Sequence, residues 1–376
     1  MKVLFILSII LLNSLIVNSS FQSSIFSETN LDFKGKNVIL SPLSIFQVLG
    51  LTANGGVRKT LREMISTLEC STLQNLNNIN YNIINTINNF VSVELANGVM
   101  SRYEPIKSFS KICYKYNATI EKLISKKQVN DWCSEKTNGK ITEIIDELSP
   151  ATIILLLNAV YFRGEWTYPF NPKATTGGVF YNYGKEEKEV EMMSQTHQFN
   201  YYQDSEIQAV ELPFKNDSMS ALIILPNKDI DINDYINQKK VNDDLIQNVI
   251  NGMKSTYVKL SLPKFEVGFY SKLKEILQRL KMVTPFTGAA DFSKIFGFSG
   301  LHIDDVIHKT YLKVDEIGSE AAAVTIVDMR KGLPAIGADM EVNRPLIVIL
   351  RSSELPKKND FLFMAKIEEI NDSSTK

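Results

Sequence analysis

The stretch VDEIGSEAAAVTIVDMRKGLP, residues 314–334, carries local preferences that disagree with one another. Its consecutive alanines, Ala321 to Ala323, favour helix, whereas the β-branched residues after them favour strand. Such a conflict is expected where function overrides folding consistency. We therefore expect this stretch to carry the activity and the rest of the chain to present it.

Composition and charge are those of an ordinary globular protein. The chain has 376 residues, of which 44% are hydrophobic and 22% are charged, so it can bury a large core. Its formal net charge of -1 gives no overall attraction to nucleic acid or to an anionic membrane. We expect no nucleic-acid and no membrane partner, although these totals leave a local basic patch open.

Residues 1–19 have the order of a secretory signal. Lys2 precedes an apolar run over residues 3–12, and small polar residues follow. Val17 and Ser19 suit a small-residue cleavage site, which predicts a mature chain that begins at Ser20 and a secreted, extracellular protein. The alternative is an uncleaved anchor or a buried helix, although the run is short for a membrane span.

The sequons at Asn117 and Asn216 are candidate glycosylation sites and agree with export. The cysteines Cys70, Cys113 and Cys133 cannot all pair with one another, and no CxxC spacing occurs. Since the chain also has only 3 histidines, we expect no metal or redox site and no cofactor. Buried free thiols are the expected state of the cysteines.

The pattern of apolar residues predicts one domain over residues 20–376, because no internal repeat or long linker divides it. Helical patterning is clearest in SIFQVLGLTANGG, VNDWCSEKTNGKITEII and SKLKEILQRLK. The Asn-rich stretch STLQNLNNINYNIINTINN keeps periodic Leu and Ile, which favours a helix over low-complexity disorder. Strand-like apolar runs are TIILLLNAVYF, SALIILP, YVKLSLPKFEV, PLIVILR and DFLFMAKI. Strands follow helices without regular alternation, which indicates an α+β architecture.

No catalytic motif is found in the sequence. GFSGLH around Ser299 resembles a nucleophile elbow, but Gly297 and Gly300 do not give the G-x-S-x-G spacing. His302 and Asp304 are close by, yet the residues of a triad meet in space and are not normally sequential neighbours. A polar turn is the preferred interpretation of this segment, and we do not expect an enzyme.

The chain resembles the serpins in motifs that keep the order and spacing of that family. NVILSPLSI at residues 37–45 resembles the family's entry into its second helix, and LLNAVYFRGEW at residues 156–166 resembles its central-sheet strand. The further matching motifs are VEMMSQTHQFNYYQD, ELPFKNDSMSALIILP, LPKFEV, DVIHKTYLKVDEIGSEAAAVT, NRPLIVIL and FLFMAKI. Together they span nearly the whole chain after the predicted signal.

The resemblance implies an α+β serpin fold with a large five-stranded central sheet, two smaller sheets and about nine helices. About residues 316–342 would form an exposed reactive-centre loop. A protease cuts such a loop and forms an acyl-enzyme, and the cut loop then inserts into the large sheet. The implied function is a secreted serine-protease inhibitor that acts as a suicide substrate. Its expected state is a monomer, and its expected partner is the covalently bound protease.

The residues that follow Gly318 suit insertion as a strand, in which side chains alternate between two faces. One face would carry small and apolar residues, namely Ser319, Ala321, Ala323, Thr325, Val327 and Met329. The other would carry the charged residues, in the set Glu320, Ala322, Val324, Ile326, Asp328 and Arg330. Ile326 does not fit this division, and an ordinary linker with accidental alternation is the alternative. Gly318 offers backbone freedom for a hinge.

The resemblance further implies that four polar residues control opening of the sheet, at Ser41, Ser44, Asn158 and His308. Such groups can exchange hydrogen-bond partners as strands separate. For His308 alone, a structural core histidine would be the ordinary interpretation. Trp166 matches the family's tryptophan at the top of the sheet, where simple core packing is the alternative.

The position of the reactive bond is predicted least sharply. The family's usual spacing places the scissile residue at Gly332, which offers a protease pocket little to hold. A trypsin-like pocket binds a cation, so we favour Lys331–Gly332, with Arg330–Lys331 second. Leu333 is a poor choice because Pro334 follows it and would obstruct attack.

Other functions stay open at this point. A non-inhibitory serpin-fold carrier or chaperone is one, although such relatives usually have bulky, charged or proline residues in the hinge. An inhibitor of chymotrypsin-like or cysteine proteases is another. Val324 and Ala365 also depart from the small residue and the glycine that are usual at these positions. No heparin site is expected, because the Asn-rich stretch has no Lys or Arg.

Overall fold

The fold is taken from a computed structural model of the chain, which describes residues 20–90, 93–162, 164–215, 218–238, 241–318, 337–356 and 360–371. The predicted signal at residues 1–19 lies outside the described residues. So do residues 319–336, which make up most of the predicted reactive-centre loop.

The described residues form ten α-helices, close to the predicted number. They are α1 (Phe21–Asp32), α2 (Pro42–Ala53), α3 (Arg58–Thr67), α4 (Leu73–Ile87), α5 (Lys107–Lys115), α6 (Lys126–Lys136), α7 (Ile232–Asn237), α8 (Asp243–Gly252), α9 (Lys274–Arg279) and α10 (Ser293–Phe296). The Asn-rich stretch is the helix α4, as predicted, and Thr72 caps it by accepting the Asn75 N–H. None of these helices is long and apolar enough to cross a membrane.

The predicted apolar runs fall on β-strands, and the described residues form further strands that no such run predicted. They are β1 (Val38–Leu40), β2 (Val93–Ser101), β3 (Ala118–Lys122), β4 (Ile154–Phe162), β5 (Thr176–Asn182), β6 (Glu186–Gln203), β7 (Ile207–Pro213), β8 (Met219–Pro226), β9 (Lys254–Pro263), β10 (Phe265–Lys272), β11 (Val306–Val314), β12 (Ala338–Glu341), β13 (Leu346–Ser352) and β14 (Phe361–Ile367). The predicted run YVKLSLPKFEV is divided between β9 and β10, which flank Lys264.

The predicted five-stranded sheet has the order β10-β11-β4-β2-β3. Its central neighbours, β4 and β11, are parallel, and so are β2 and β3, whereas β2 runs antiparallel to β4 and β10 runs antiparallel to β11. The other strands form one sheet in the order β1-β14-β13-β8-β7-β6-β9-β12, with β5 paired to β6. Two smaller sheets were predicted, and the 18-residue strand β6 joins them into one bonded path. The predicted α+β fold class is confirmed.

The two faces of β4 pack into different hydrophobic clusters. Ile154, Leu156, Val160 and Phe162 belong to the main core, which lies between the five-stranded sheet and the nine-stranded sheet. The residues between them, Leu155, Leu157 and Ala159, belong to a second cluster formed with α6 and the segment after it. Both faces of the central strand are therefore covered, which explains why TIILLLNAVYF is a continuous apolar run.

The cysteines are free thiols in the described structure, with Cys113 and Cys133 buried and Cys70 half-buried. Burial raises the pKa of Cys70 to about 11 and the pKa of Cys113 to about 12. Burial likewise raises the pKa of Cys133 to about 12. The thiolate form is therefore disfavoured at all of them.

Candidate functional site

A row of buried polar side chains crosses the five-stranded sheet at Asn158. Asn158 on β4 stands opposite His308 on β11 and opposite Asn97 on β2. Its Oδ1 lies 2.8 Å from His308 Nδ1, and its Nδ2 donates to Asn97 Oδ1 at 2.9 Å. Because these side chains are buried, the bonds between them are strong and an unmade one is costly.

The start of α2 joins two serines to this row. Pro42 is the first helical residue, which places Ser41 just before the helix and Ser44 in its first turn. The Ser41 backbone N–H donates to His308 Nε2 at 3.1 Å. Ser44 Oγ lies 2.6 Å from Asn158 Oδ1 and 3.0 Å from the Ser41 carbonyl oxygen. A hydroxyl has one hydrogen, so Ser44 donates to one of these acceptors at a time.

These hydrogen bonds define the tautomer of His308. Its Nε2 accepts the Ser41 N–H, so the proton of the neutral ring is on Nδ1, which donates to Asn158 Oδ1. Burial lowers the pKa of His308 to about 3, and the ring is therefore neutral at physiological pH. The His308 ring therefore bonds through Nε2 to the residue before α2 and through Nδ1 to the neighbouring strand β4.

The structure thus brings Ser41, Ser44, Asn158 and His308 into one network, and their role in sheet opening stays a prediction. Two members of the network were missed. Asn97 accepts from Asn158, and its own amide donates to Gln47 Oε1 at 3.4 Å. The available signal was their polarity, because Gln47 lies in the mostly apolar α2 and Asn97 in the middle of β2.

Trp166 ties the end of β11 to the turn after β4. Its indole Nε1 donates to the Asp315 carbonyl oxygen at 3.0 Å, and its backbone N–H donates to the Ile317 carbonyl oxygen at 2.7 Å. The indole is 5% exposed and stacks on Phe214, with ring centroids 4.5 Å apart. Core packing and contact with the base of the loop are therefore combined in this one side chain.

Gly318 lies at a close approach of two backbone segments. It forms an isolated antiparallel bridge with Glu165 and has a φ of +150°. A Cβ added to Gly318 would lie 1.9 Å from the Gly164 carbonyl oxygen. Asp315 closes the turn, since its N–H donates to the Gly318 carbonyl oxygen at 2.9 Å and its Oδ1 accepts the Gly318 N–H at 3.2 Å. The predicted hinge glycine is therefore a position that other residues do not fit.

Glu316, at the start of the predicted loop, is held by a half-buried ion pair that was not predicted. Lys264 Nζ lies 3.4 Å from Glu316 Oε1 and 3.0 Å from Glu191 Oε2. Thr175 Oγ1 also donates to Glu316 Oε1, at 2.8 Å. Burial by itself lowers the pKa of Lys264, but the hydrogen bond to Glu191 and the charge of Glu316 outweigh it and raise this pKa. Lys264 therefore stays charged and anchors the base of the loop.

The other predicted site residues lie mostly outside the described residues. These are the hinge positions Ser319, Glu320, Ala321, Ala322, Ala323, Val324 and Thr325, the reactive-bond candidates Arg330, Lys331, Gly332 and Leu333, and the sequon residue Asn216. Asn117 is described and is exposed in the turn between α5 and β3, with a φ of 50°. Its glycosylation stays a prediction.

In the segment that resembled a hydrolase motif, His302 and Asp304 form contacts within the fold. His302 Nε2 and Asp304 Oδ1 are 3.9 Å apart, and Asp304 Oδ2 accepts the Ile153 N–H at 3.2 Å just before β4 begins. Among the residues that the structure describes, no group of three or more His, Cys, Asp or Glu is placed to hold a metal ion.

Comparison with known proteins agrees with this geometry. The family model described as Serpin (serine protease inhibitor) matches residues 17–370. Intracellular coagulation inhibitor 2 of Tachypleus tridentatus is 34% identical over 358 residues, which cover 90% of this chain and 86% of the relative. The leukocyte elastase inhibitor of Xenopus laevis is 32% identical over 327 residues, which cover 81% of this chain and 86% of the relative.

Solved structures give the same assignment. The thermophilic serpin tengpin in its native state has a TM-score of 0.85 at 28% identity, covering 93% of this chain and 92% of tengpin. Human thyroxine-binding globulin, complexed with thyroxine, has a TM-score of 0.85 at 21% identity over 94% of this chain and 98% of its own, which shows a shared fold. The chain belongs to the serpin family and is a relative of protease inhibitors, not an enzyme.

The stability of the fold should depend on pH through His308. Because burial lowers the folded-state pKa from 6.5 to about 3, the unfolded chain binds the proton more readily. The free energy of unfolding should therefore fall below about pH 6, by roughly 1.4 kcal/mol per pH unit from this group alone. Urea unfolding of His308→Gln should show a shallower acid slope than the parent. His302→Gln, at a side chain 42% exposed, is the matched control and should keep the parent's slope.

Gly318→Ala should destabilise the intact protein by about 1–3 kcal/mol, because the added methyl group forces the turn away from Gly164. Thermal unfolding measures this change. Gly177→Ala is the control, because a Cβ at Gly177 meets no atom within 4 Å. Equal melting temperatures for the two variants would show that the turn at Gly318 yields without cost.

Proposed function

We propose that this chain is a secreted inhibitor of trypsin-like serine proteases that acts as a suicide substrate. The protease's serine attacks the carbonyl of the scissile residue and forms an ester, while the amine of the next residue leaves with a proton. The cut loop then inserts between β4 and β11 before water hydrolyses the ester. Membership of the serpin family and the inhibitors among its relatives support this proposal.

The direction of the strands suits insertion at this place. β4 and β11 are parallel neighbours, with Leu156 to Tyr161 paired to Val306 to Tyr311. The chain leaves β11 and turns at Gly318, and it is already bridged there in antiparallel fashion to Glu165 just after β4. A segment that continued this turn would run antiparallel to both strands, which is the more stable pairing.

The register of the Gly318 bridge is the observation that carries the proposal. Continued residue by residue, it brings Ala321 opposite Phe162, Ala323 opposite Val160 and Val327 opposite Leu156. These β4 residues face the main core. The small and apolar face of the loop therefore falls on the core side without any shift in register. A linker whose alternation was accidental would place its small residues on the core side only by chance.

The same register accounts for Ile326, which did not fit the predicted division of faces. It falls opposite Leu157, a fully buried residue of the second cluster beneath α6. An isoleucine opposite Leu157 would extend this apolar cluster and would not have to face solvent. Asp328, opposite Leu155 of that cluster, is the residue that this register leaves in an unfavourable place.

Thr325 falls opposite Asn158, at the polar row. Separating β4 from β11 breaks the contact between Asn158 and His308, and each buried group left without a partner costs about 1–3 kcal/mol. The Thr325 hydroxyl can donate to one side and accept from the other. The loop would thus bring its own polar residue to the row where the sheet is polar.

The target class and the site of action are inferred from the sequence. Lys331 is the favoured scissile residue because a trypsin-like pocket binds a cation against a buried carboxylate. The signal-like order of residues 1–19 supports secretion. We infer a monomer that meets its partner, the protease, through the exposed loop.

Incubation with trypsin should give an SDS-stable band near the summed masses of the two proteins. Mass spectrometry of the released C-terminal fragment should give a new amino terminus at Gly332, and Lys331→Ala should abolish inhibition of trypsin. A terminus at Leu333 or upstream of Arg330 would contradict the chosen bond. Cleavage without a stable band across a panel of proteases would favour the non-inhibitory carrier.

Ala321→Arg should convert the inhibitor into a substrate. Its side chain would have to enter the main core beside Phe162, where an unpaired charge costs several kcal/mol, so insertion should slow at least on the order of tenfold relative to deacylation. Glu320→Arg is the control, because this position already carries a charge and falls beyond the end of β4 in the same register. The number of inhibitor molecules consumed per protease should rise for Ala321→Arg only. Equal values for both variants would refute the face assignment.

A further inference from the structure

The backbone nitrogen of Ser20 lies against a carboxylate from a distant part of the chain. Its N–H donates to Asp243 Oδ2 at 3.1 Å, and the Ser20 hydroxyl donates to Asp243 Oδ1 at 2.9 Å. Ser20 is 1% exposed and Asp243 is half-buried, so this two-point contact is partly shielded from water. Both oxygens of one carboxylate are thus directed at a single residue.

The same contact joins the beginnings of two helices. Ser20 caps α1, and its carbonyl oxygen accepts the Ser24 N–H at 2.9 Å. Asp243 is the first residue of α8. Next to Ser20, Gln22 binds β14 at two points, since its Nε2 donates to the Phe361 carbonyl oxygen at 3.0 Å and its Oε1 accepts the Phe361 N–H at 3.2 Å. The start of α1 is therefore hydrogen-bonded to both α8 and strand β14 of the nine-stranded sheet.

A second acidic group contributes to the electrostatics of this place. Asp360, adjacent to Phe361, has a side chain 18% exposed and lies 3.7 Å from Arg351 Nη2. Burial raises the pKa of Asp360, Arg351 opposes that rise, and the negative charge of Asp243 adds to it. The two carboxylates therefore act on each other across the region where α1 begins.

We propose that Asp243 is the receptor for the α-ammonium group of Ser20, created when a leader of residues 1–19 is removed. The inference depends on the cleavage site proposed above and not on inhibition of a protease. In the uncleaved chain the nitrogen of Ser20 belongs to a neutral amide. Cleavage turns it into a cation at the same place, and the existing hydrogen bond becomes a charge-assisted one.

The mature chain needs the Asp243 carboxylate because the Ser20 ammonium group would lie at the N-terminus of α1. The N-terminus of a helix carries a partial positive charge, so an ammonium group there is disfavoured unless an anion is near. Asp243 supplies that anion at hydrogen-bonding distance from the Ser20 nitrogen. A mature chain that began one residue later would lack both contacts with Asp243.

The proposal gives a pH dependence with a definite sign. An α-amino group titrates near about 7.7–8.0 when free, and pairing with Asp243 raises its pKa. The stability that it contributes is fully present below the free value and is lost as the pH rises through the raised value. Asp243 from α8 contacts the Ser20 nitrogen directly, and Asp360, paired with Arg351, interacts electrostatically with Asp243.

The first test is amino-terminal sequencing of the protein secreted from a eukaryotic host. We expect Ser20 as the first residue. A terminus at another residue overturns the assignment of the cleaved nitrogen.

The second test uses the mature chain, with a free or an acetylated Ser20 amine, each in the parent and in Asp243→Asn. Acetylation of the parent should raise the equilibrium constant for unfolding on the order of tenfold at pH 7, which corresponds to about 1.4 kcal/mol. In Asp243→Asn acetylation should change little, because the carboxylate is gone. Asp244→Asn, at the exposed next residue of α8, is the matched control and should respond to acetylation as the parent does.

Equal unfolding constants for the free and acetylated parent would overturn the ion pair, as would an equal response in Asp243→Asn. Neither outcome bears on protease inhibition, because the measurement uses unfolding alone. The difference between the free and acetylated parent should disappear above about pH 10, where the amine is neutral even with its pKa raised by the roughly one unit that a tenfold effect implies. A difference that persists unchanged at high pH would assign the effect to packing and contradict the proposal.

Discussion

The side-chain amide of Asn158 is the contact on which the central sheet depends. Its oxygen accepts from His308 and Ser44, and its nitrogen donates to Asn97, so one residue satisfies groups on two neighbouring strands and a helix. In a buried place these bonds are either all made or costly to lose. At this row, buried side-chain hydrogen bonds join the strands in addition to their backbone pairing and apolar packing.

A strand that entered between β4 and β11 would have to satisfy two different surroundings at once. The faces of β4 belong to separate clusters, one in the main core and one beneath α6. Interiors of this kind are close-packed and respond to change by moving between defined arrangements. Under the proposed insertion, this requirement constrains the loop's sequence on both faces.

Much of this arrangement could be predicted from sequence patterns, and the failures have physical reasons. Apolar runs gave β4, β8, β13 and β14, because strands covered on both faces have continuous apolar sequences. Asn97 and Gln47 were missed because their place in the polar row follows from strand register, which joins residues far apart in the chain. The Lys264–Glu316 ion pair was missed for the same reason. The junction at β6 depends on where a long strand changes neighbours, which alternation alone does not reveal.

The state of the cysteines has a consequence for how the protein can be made and moved. Cys70, Cys113 and Cys133 are free, and burial keeps their thiols protonated, so the species that attacks disulfides is scarce in the folded chain. No covalent cross-link among these residues has to form before the described fold is complete. The described fold therefore needs no disulfide among these cysteines, and glutathione has no structural bond to break among them.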